Sequence, residues 1–316
     1  MDSKLIWLTT FVGIYWAYCL FWGIKGARSA RTSADYFLAG RSIGLWVFVL
    51  AATATSFSGW TFVGHPGKIF TDGLPYAFAS FYALTIPFTG VIFLRRQWVL
   101  GRAFRYITPG EMYSDYYGGN AIRLLTVLVA FLFSVPYLGV QLRASGDLFY
   151  VLTDGLVSVN FGMFALSAVV VIYVASGGLR SVAYVDCVQC ILLALGICIL
   201  GVLAIHFSGG WSGFVSGMAD YVRGDLASNS NLTPAGQSPV VAIPGSVQAV
   251  SAGNKAAGGM WTGMMCMTYM FALMGIQSSP AFSMWAFANK TSRPFRWQQV
   301  AASSIVIGLI LFTFTS

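Results

Sequence analysis

The sequence predicts an all-α polytopic membrane protein. Three observations carry that reading. Of 316 residues, 57% are hydrophobic and only 9% are charged, whereas soluble domains carry about 25% charged residues. Apolar runs long enough to cross a bilayer, about 20 residues each, recur along the chain between shorter polar stretches. The basic residues gather in alternate loops, which is how helical membrane proteins fix their orientation.

The first span is about 4–24. It is too long for a cleaved signal peptide and lacks a small-residue cleavage site, so it reads as a retained helix. A basic loop follows, with Lys25, Arg28, Arg31 and Arg41. Span two is about 44–70, span three about 74–94 with Pro87 as a kink, and a polar stretch runs from Arg95 to Gly119. Within it, Thr108-Pro109-Gly110-Glu111 reads as a helix start, with Thr as cap and Pro in the first turn. Span four, about 120–151, is long enough to cross with a strong tilt and carries Pro136, Tyr137 and Gln141, then Arg143 and Asp147. Span five is about 157–176, Gly177-Gly178 reads as a tight turn, and span six is about 181–207. Residues 208–258 read as an external loop with a short helix at 213–222. Span seven is about 260–288, and span eight begins near Trp297.

Thirteen of the eighteen basic residues fall on one side of this arrangement: Lys25, Arg28, Arg31, Arg41, Arg95, Arg96, Arg102, Arg105, Arg123, Arg180, Lys290, Arg293 and Arg296. The rule that basic loops stay cytoplasmic then places the N-terminus outside a cell (inner) membrane. The net charge of +8 follows from this asymmetry and calls for no nucleic acid. Five cysteines lie inside apolar spans. Cys187 and Cys190 have CxxC spacing, but with no second pair and no nearby His they read as buried small hydrophobes. His65 and His206 are single and near span ends, and read as interfacial. No nucleophile–base arrangement or phosphate-cradling loop stands out, so no enzyme is expected. Nothing sets an oligomeric state.

The most informative stretch is Leu45 to Phe70. Its first half is plainly apolar. Thr55, Ser56, Ser58 and Gly59 then interrupt it, and Gly64, His65, Pro66 and Gly67 end it. A helix broken at membrane depth is tolerated only where the break is buried in protein or lines a cavity, and transporters bind ions and substrates at such breaks. A small-residue face for helix packing fits the same composition, so both readings stand on the residues alone.

Three stretches resemble the sodium:solute symporter family. Ala34 to Ser42, ADYFLAGRS, is similar to the family's lead-in to its first core helix. Ser58-Gly59-Trp60 through Gly64-x-Pro66-Gly67 is similar to that helix in the proline transporters. Ser176 to Gln189, SGGLRSVAYVDCVQ, resembles the family signature, and Thr108 to Gly118 is a weaker fourth match. The resemblance implies a LeuT-type five-plus-five inverted repeat with one extra N-terminal helix, in a single transmembrane domain over 1–316. Residues 4–24 would be the extra helix, 44–207 the first repeat, 208–258 an external loop, and 260–316 the start of a second repeat truncated inside its apolar span.

The resemblance also implies sodium as coupling ion, held by two backbone carbonyls at the break. Carried over, these are Ala54 and Phe57, half a site that Ser/Thr hydroxyls beyond Ser316 would complete. Unwound carbonyls suit a hard cation. Ser56 stands where some relatives have an Asp. Ser56, Ser58, Gly59 and Trp60 are candidate substrate contacts, though a Trp in a span also serves packing. Tyr137 matches an aromatic substrate contact of the proline transporters. Gln141, one turn on, faces protein or cavity, and helix–helix hydrogen bonding accounts for it equally. Met274 and Gln277 stand in a stretch similar to the broken sixth core helix, with Gln277 the expected hydrogen-bonding residue. Met-rich walls suit a partly apolar solute or plain core packing. Asp186, close to Arg180 in sequence, is expected to form an ion pair or to act on a helix N-terminus. The function implied is sodium-coupled symport of a small organic solute across the lipid bilayer by alternating access. A sensory input domain of a symporter-like histidine kinase and an inactive fragment are the alternatives.

Overall fold

The computed structural model describes residues 3–56, 59–74, 76–79, 86–228, 232, 236–238, 240–241, 264, 267–268, 271, 275 and 279–298. Among them the regular structure is helical, apart from one isolated parallel bridge between Ile43 and Asn289. In chain order the helices are α1 (Ser3–Ser29), α2 (Ser33–Leu38), a 3-10 turn (Ala39–Arg41), α3 (Leu45–Ser56), a π-helical turn (Trp60–Gly64) and α4 (His65–Asp72). Then come α5 (Tyr76–Ala79), α6 (Ile86–Ala103), α7 (Pro109–Tyr117), α8 (Ala121–Leu152), α9 (Val159–Phe207), α10 (Gly210–Ser228), α11 (Pro280–Ala288) and α12 (Pro294–Gln298).

Helices α1, α8 and α9 are each long and apolar enough to cross a membrane, and the two helical pieces flanking the break after Ser56 qualify together as a further span. Their outward residues are apolar: Phe11, Leu124 and Phe131 are each more than 60% exposed. Exposed apolar faces of this extent mark a surface that meets lipid or another protein rather than water.

Local chemistry sets the helix ends. Thr32 accepts the Asp35 amide while the Asp35 carboxylate accepts the Thr32 amide, a reciprocal cap that starts α2. Thr108 and Glu111 do the same for α7, with Pro109 in the first turn where its missing N–H costs nothing. The α6 helix continues past residue 94, through Arg95 and Arg96 to Ala103, further than apolar character alone predicts. Arginine is a good helix former and snorkels its charge to water. In α9 the helix is interrupted at Gly178 alone (φ 60, ψ −161), so the turn read at Gly177-Gly178 is a single-residue break between two apolar halves. The loop helix α10 is also longer than the 213–222 expected from sequence.

The chain divides into two compact units. The first comprises Met1–Trp60, Gly90–Ile191 and Gln277–Gln298. Its core includes Leu38, Phe48, Ala51, Ala52, Leu94, Phe282, Phe287 and Phe295, all essentially inaccessible to solvent. Phe48 of α3 meets Phe295 of α12 edge-on at 5.4 Å. Backbone bonds Ile43 N–H to Ala288 O (3.2 Å) and Lys290 N–H to Ile43 O (2.9 Å) join the start of α3 to the end of α11. Guanidinium groups close this junction. Arg41 donates to the carbonyls of Gly101 and Tyr106 at 2.9 and 2.8 Å, and Arg102 donates to those of Asn289 and Lys290 at 2.9 and 3.0 Å. Elsewhere in the unit α1 packs on α9 through Cys19, Trp22, Tyr173 and Val185, and at Gly26 the backbones come close: a Cβ there would strike Gly177 and the Ser181 hydroxyl. That hydroxyl donates to Trp22 O at 2.7 Å. The second unit comprises Thr61–Thr89, Leu192–Ile276 and Gln299–Ser316. There Leu74 N–H bonds Val240 O at 2.9 Å. His65 is buried, its ring 6.0 Å from that of Tyr76, so it lies inside the unit rather than at an interface.

Candidate functional site

The last turns of α3 carry three hydroxyls in an apolar span. Each turns back on its own helix: Thr53 to Val49 O (2.6 Å), Thr55 to Ala51 O (2.8 Å) and Ser56 to Ala52 O (3.1 Å). This hides the hydroxyls and biases the helix towards bending. Ala54 lies in the final turn of α3, where carbonyls lose their in-helix partners. The helix resumes beyond the break as a π-helical turn at Trp60–Gly64, a wide geometry that recurs at functional sites.

Two other spans meet this break. From α8, the Gln141 side-chain oxygen accepts the backbone N–H of Gly59. The approach is so close that a Cβ at Gly59 would lie 2.6 Å from Ala144 Cβ and 3.2 Å from Gln141 Oε1. One end of the Gln141 amide is thus engaged by the backbone beside the break. From α9, Asp186 is 8% exposed and faces Thr55, its Oδ2 3.5 Å from Thr55 Oγ1. The single Thr55 hydrogen serves the nearer Ala51 carbonyl, so among the described residues Asp186 receives little compensation for its burial. A buried carboxylate placed this way favours a cation or a proton beside it.

Asp186 therefore corrects the sequence reading. Among the described residues it makes no ion pair with Arg180, which instead donates to Ala39 O at 3.1 Å. It lies inside the second half of α9, well past Gly178, and so does not start a helix. The two residues are also about 120° apart around a helix of 3.6 residues per turn. The cysteines beside it, Cys187 and Cys190, are free thiols. Among the described residues no group of three or more His, Cys, Asp or Glu could hold a metal ion.

The other predicted residues divide clearly. Tyr137 stands one turn from Gln141 on α8, stacks on Phe133 at 5.7 Å and is 37% exposed. Ser56 borders the break, with its hydroxyl turned to Ala52 O. The backbone of Trp60 opens the π-helical turn. Phe57, Ser58, Met274 and Gln277 lie outside the described residues. Sequence reasoning missed the pairing of Thr55 with Asp186. The only available signal was the presence of an acid inside an apolar span.

The model of the sodium:solute symporter family matches residues 36–279. This chain belongs to the sodium:solute symporter family. The family is one of transporters, not enzymes, and its membership makes this a multi-pass membrane protein. The chain is 30% identical over 199 residues to a sodium/proline symporter of Salmonella typhimurium, a match covering 60% of this chain and 38% of that protein. It is 34% identical over 182 residues to a high-affinity choline transporter of Drosophila melanogaster, covering 56% and 28%. The matched region thus spans about two fifths or less of these relatives' length. A solved structure of a Na+-coupled sialic acid symporter, substrate-bound and outward-open, superposes with a TM-score of 0.69 at 18% identity. It covers 95% of this chain and 57% of that one. That symporter has a LeuT-type fold, and this chain shares it.

Proposed function

We propose that this chain carries part of a sodium-coupled symporter that moves a small organic solute by alternating access. The observation that carries the reading is the meeting of three spans at the helix break: α3 ends, Gln141 holds Gly59, and Asp186 lies buried against Thr55. Sodium sits at the carbonyls of Ala54 and Phe57, drawn towards the break by the Asp186 charge. Oxygen ligands suit a hard cation, and half-helix ends supply them. The solute contacts come from Ser56, Ser58, Gly59, Trp60, Tyr137 and Gln141, and from Met274 and Gln277. Backbone atoms of Ser56 serve better than its hydroxyl, which is bonded within α3. Joint occupancy by ion and solute then favours one of two packings of the bundle. The first repeat is 44–207, preceded by the helix at 4–24, with the N-terminus outside the cell membrane.

The test is uptake by the full gene product in proteoliposomes, with and without an inward sodium gradient. The panel is labelled amino acids, quaternary amines, monocarboxylates and sugars. The expected result is accumulation of one class that requires the sodium gradient. Folded protein that accumulates none of them, or accumulates one equally without sodium, overturns the proposal.

A further inference from the structure

A cleft of about 310 Å³ opens where the end of α1 meets the break in α9. Its walls carry Trp22, Lys25, Ser29, Ser42, Arg180 and Tyr184. Two cations and three hydroxyls therefore converge on it from three separate segments. The Lys25 ammonium stands 4.5 Å from the Trp22 ring, and Trp22 stacks on Tyr184 at 4.2 Å, which places the charge over an aromatic wall. Arg180 gives one N–H to Ala39 O, and a guanidinium has five donors. Among the described residues neither Lys25 nor Arg180 has a carboxylate within ion-pair distance. The nearby acid, Asp35, feels the Arg180 charge but is engaged with the Thr32 hydroxyl and the amides of Thr32 and Arg31. The walls are fixed by the close packing of Gly26 on Gly177 and by the bond from Ser181 to Trp22 O.

The position of the cleft indicates its occupant. Lys25 is the first charge after the apolar run from Leu5 to Ile24, and Arg180 follows Gly178 between the two apolar halves of α9. Both lie where a span ends, on the side rich in basic residues. Phosphates of a bilayer lie at that level, and Trp and Tyr favour it. Beside the cleft, Phe21 and Ile24 are each 56% exposed, an apolar flank for acyl chains that a soluble anion would not use. We propose that this cleft binds the phosphate of an anionic phospholipid, held by Lys25 and Arg180, with its acyl chains along α1. Basic pockets between spans recognise lipid head groups by the same physics. The site is separate from the helix break and independent of the solute.

Native mass spectrometry of the full chain, released from micelles holding equimolar phosphatidylglycerol and phosphatidylcholine, tests this. The expected result is preferential retention of phosphatidylglycerol. Lys25→Ala and Lys25→Gln each lower that preference about fivefold, the worth of one cation near a charged lipid, while Arg31→Ala leaves it unchanged. Millimolar inorganic phosphate leaves the lipid bound. Equal retention of both lipids by the wild type overturns the proposal. So does an unchanged preference in both Lys25 variants, an equal loss in Arg31→Ala, or displacement of the lipid by inorganic phosphate.

Discussion

At the scale of single residues, the site depends on what is missing at position 59. A helix prefers Ala to Gly by about 0.5–1 kcal/mol, so Gly→Ala in an open helical position stabilises. Gly139 on α8 is such a position, with nothing within 4 Å of an added Cβ. Gly59 is the opposite, because the new methyl would meet Ala144 at 2.6 Å. Gly59→Ala is expected to destabilise by about 1–3 kcal/mol through overpacking, and Gly139→Ala to be neutral or slightly stabilising. Thermal unfolding of the two variants side by side in detergent checks both signs. Gln141 and Gly59 were legible as polar and small residues inside spans, but not as partners, because one lies on α8 and the other at the break 82 positions earlier. Asp186 was misread for a related reason. Sequence proximity suggested Arg180, whereas the residue facing Asp186 lies 131 positions away on α3.

At the scale of elements, what was legible is local chemistry. The start of α7 is visible in Thr108-Pro109-Gly110-Glu111 because a capping box is written within four residues. The extent of α6 was not, since arginines end an apolar run without ending a helix. Helix α7 is also tied to the loop before it, where the Tyr106 hydroxyl donates to the Asp115 carboxylate. That bond, helped by partial burial and the Asp115 charge, pushes the Tyr106 hydroxyl up to about 12. The folded value exceeds the ordinary value of about 10. The tie is therefore fully present below pH 10 and is lost as pH rises from about 10 to about 12. Tyrosinate absorbance is expected to show one late-titrating group that Asp115→Asn moves back towards the ordinary range. If the titration is the same with and without Asp115, the tie does not form in solution.

At the scale of the whole molecule, composition and the alternation of basic loops were enough for an all-α membrane protein, and three short stretches were enough for the family. Both rest on patterns written along the chain itself: span length, charge asymmetry and short motifs. The meeting of α3, α8 and α9 at the break rests on tertiary packing, which the sequence does not spell out. The central claim is that this meeting point is where sodium acts, and Asp186 tests it most directly. Uptake by the full gene product would be measured against sodium concentration for the wild type and Asp186→Asn, with Asp147→Asn as a control. Asp147 is a carboxylate paired with Arg143 at 3.0 Å on the exposed side of α8. The account predicts that Asp186→Asn raises the half-saturating sodium concentration at least about tenfold, equivalent to about 1.4 kcal/mol, while Asp147→Asn leaves it near the wild-type value. An unchanged sodium dependence in folded Asp186→Asn protein would contradict the account.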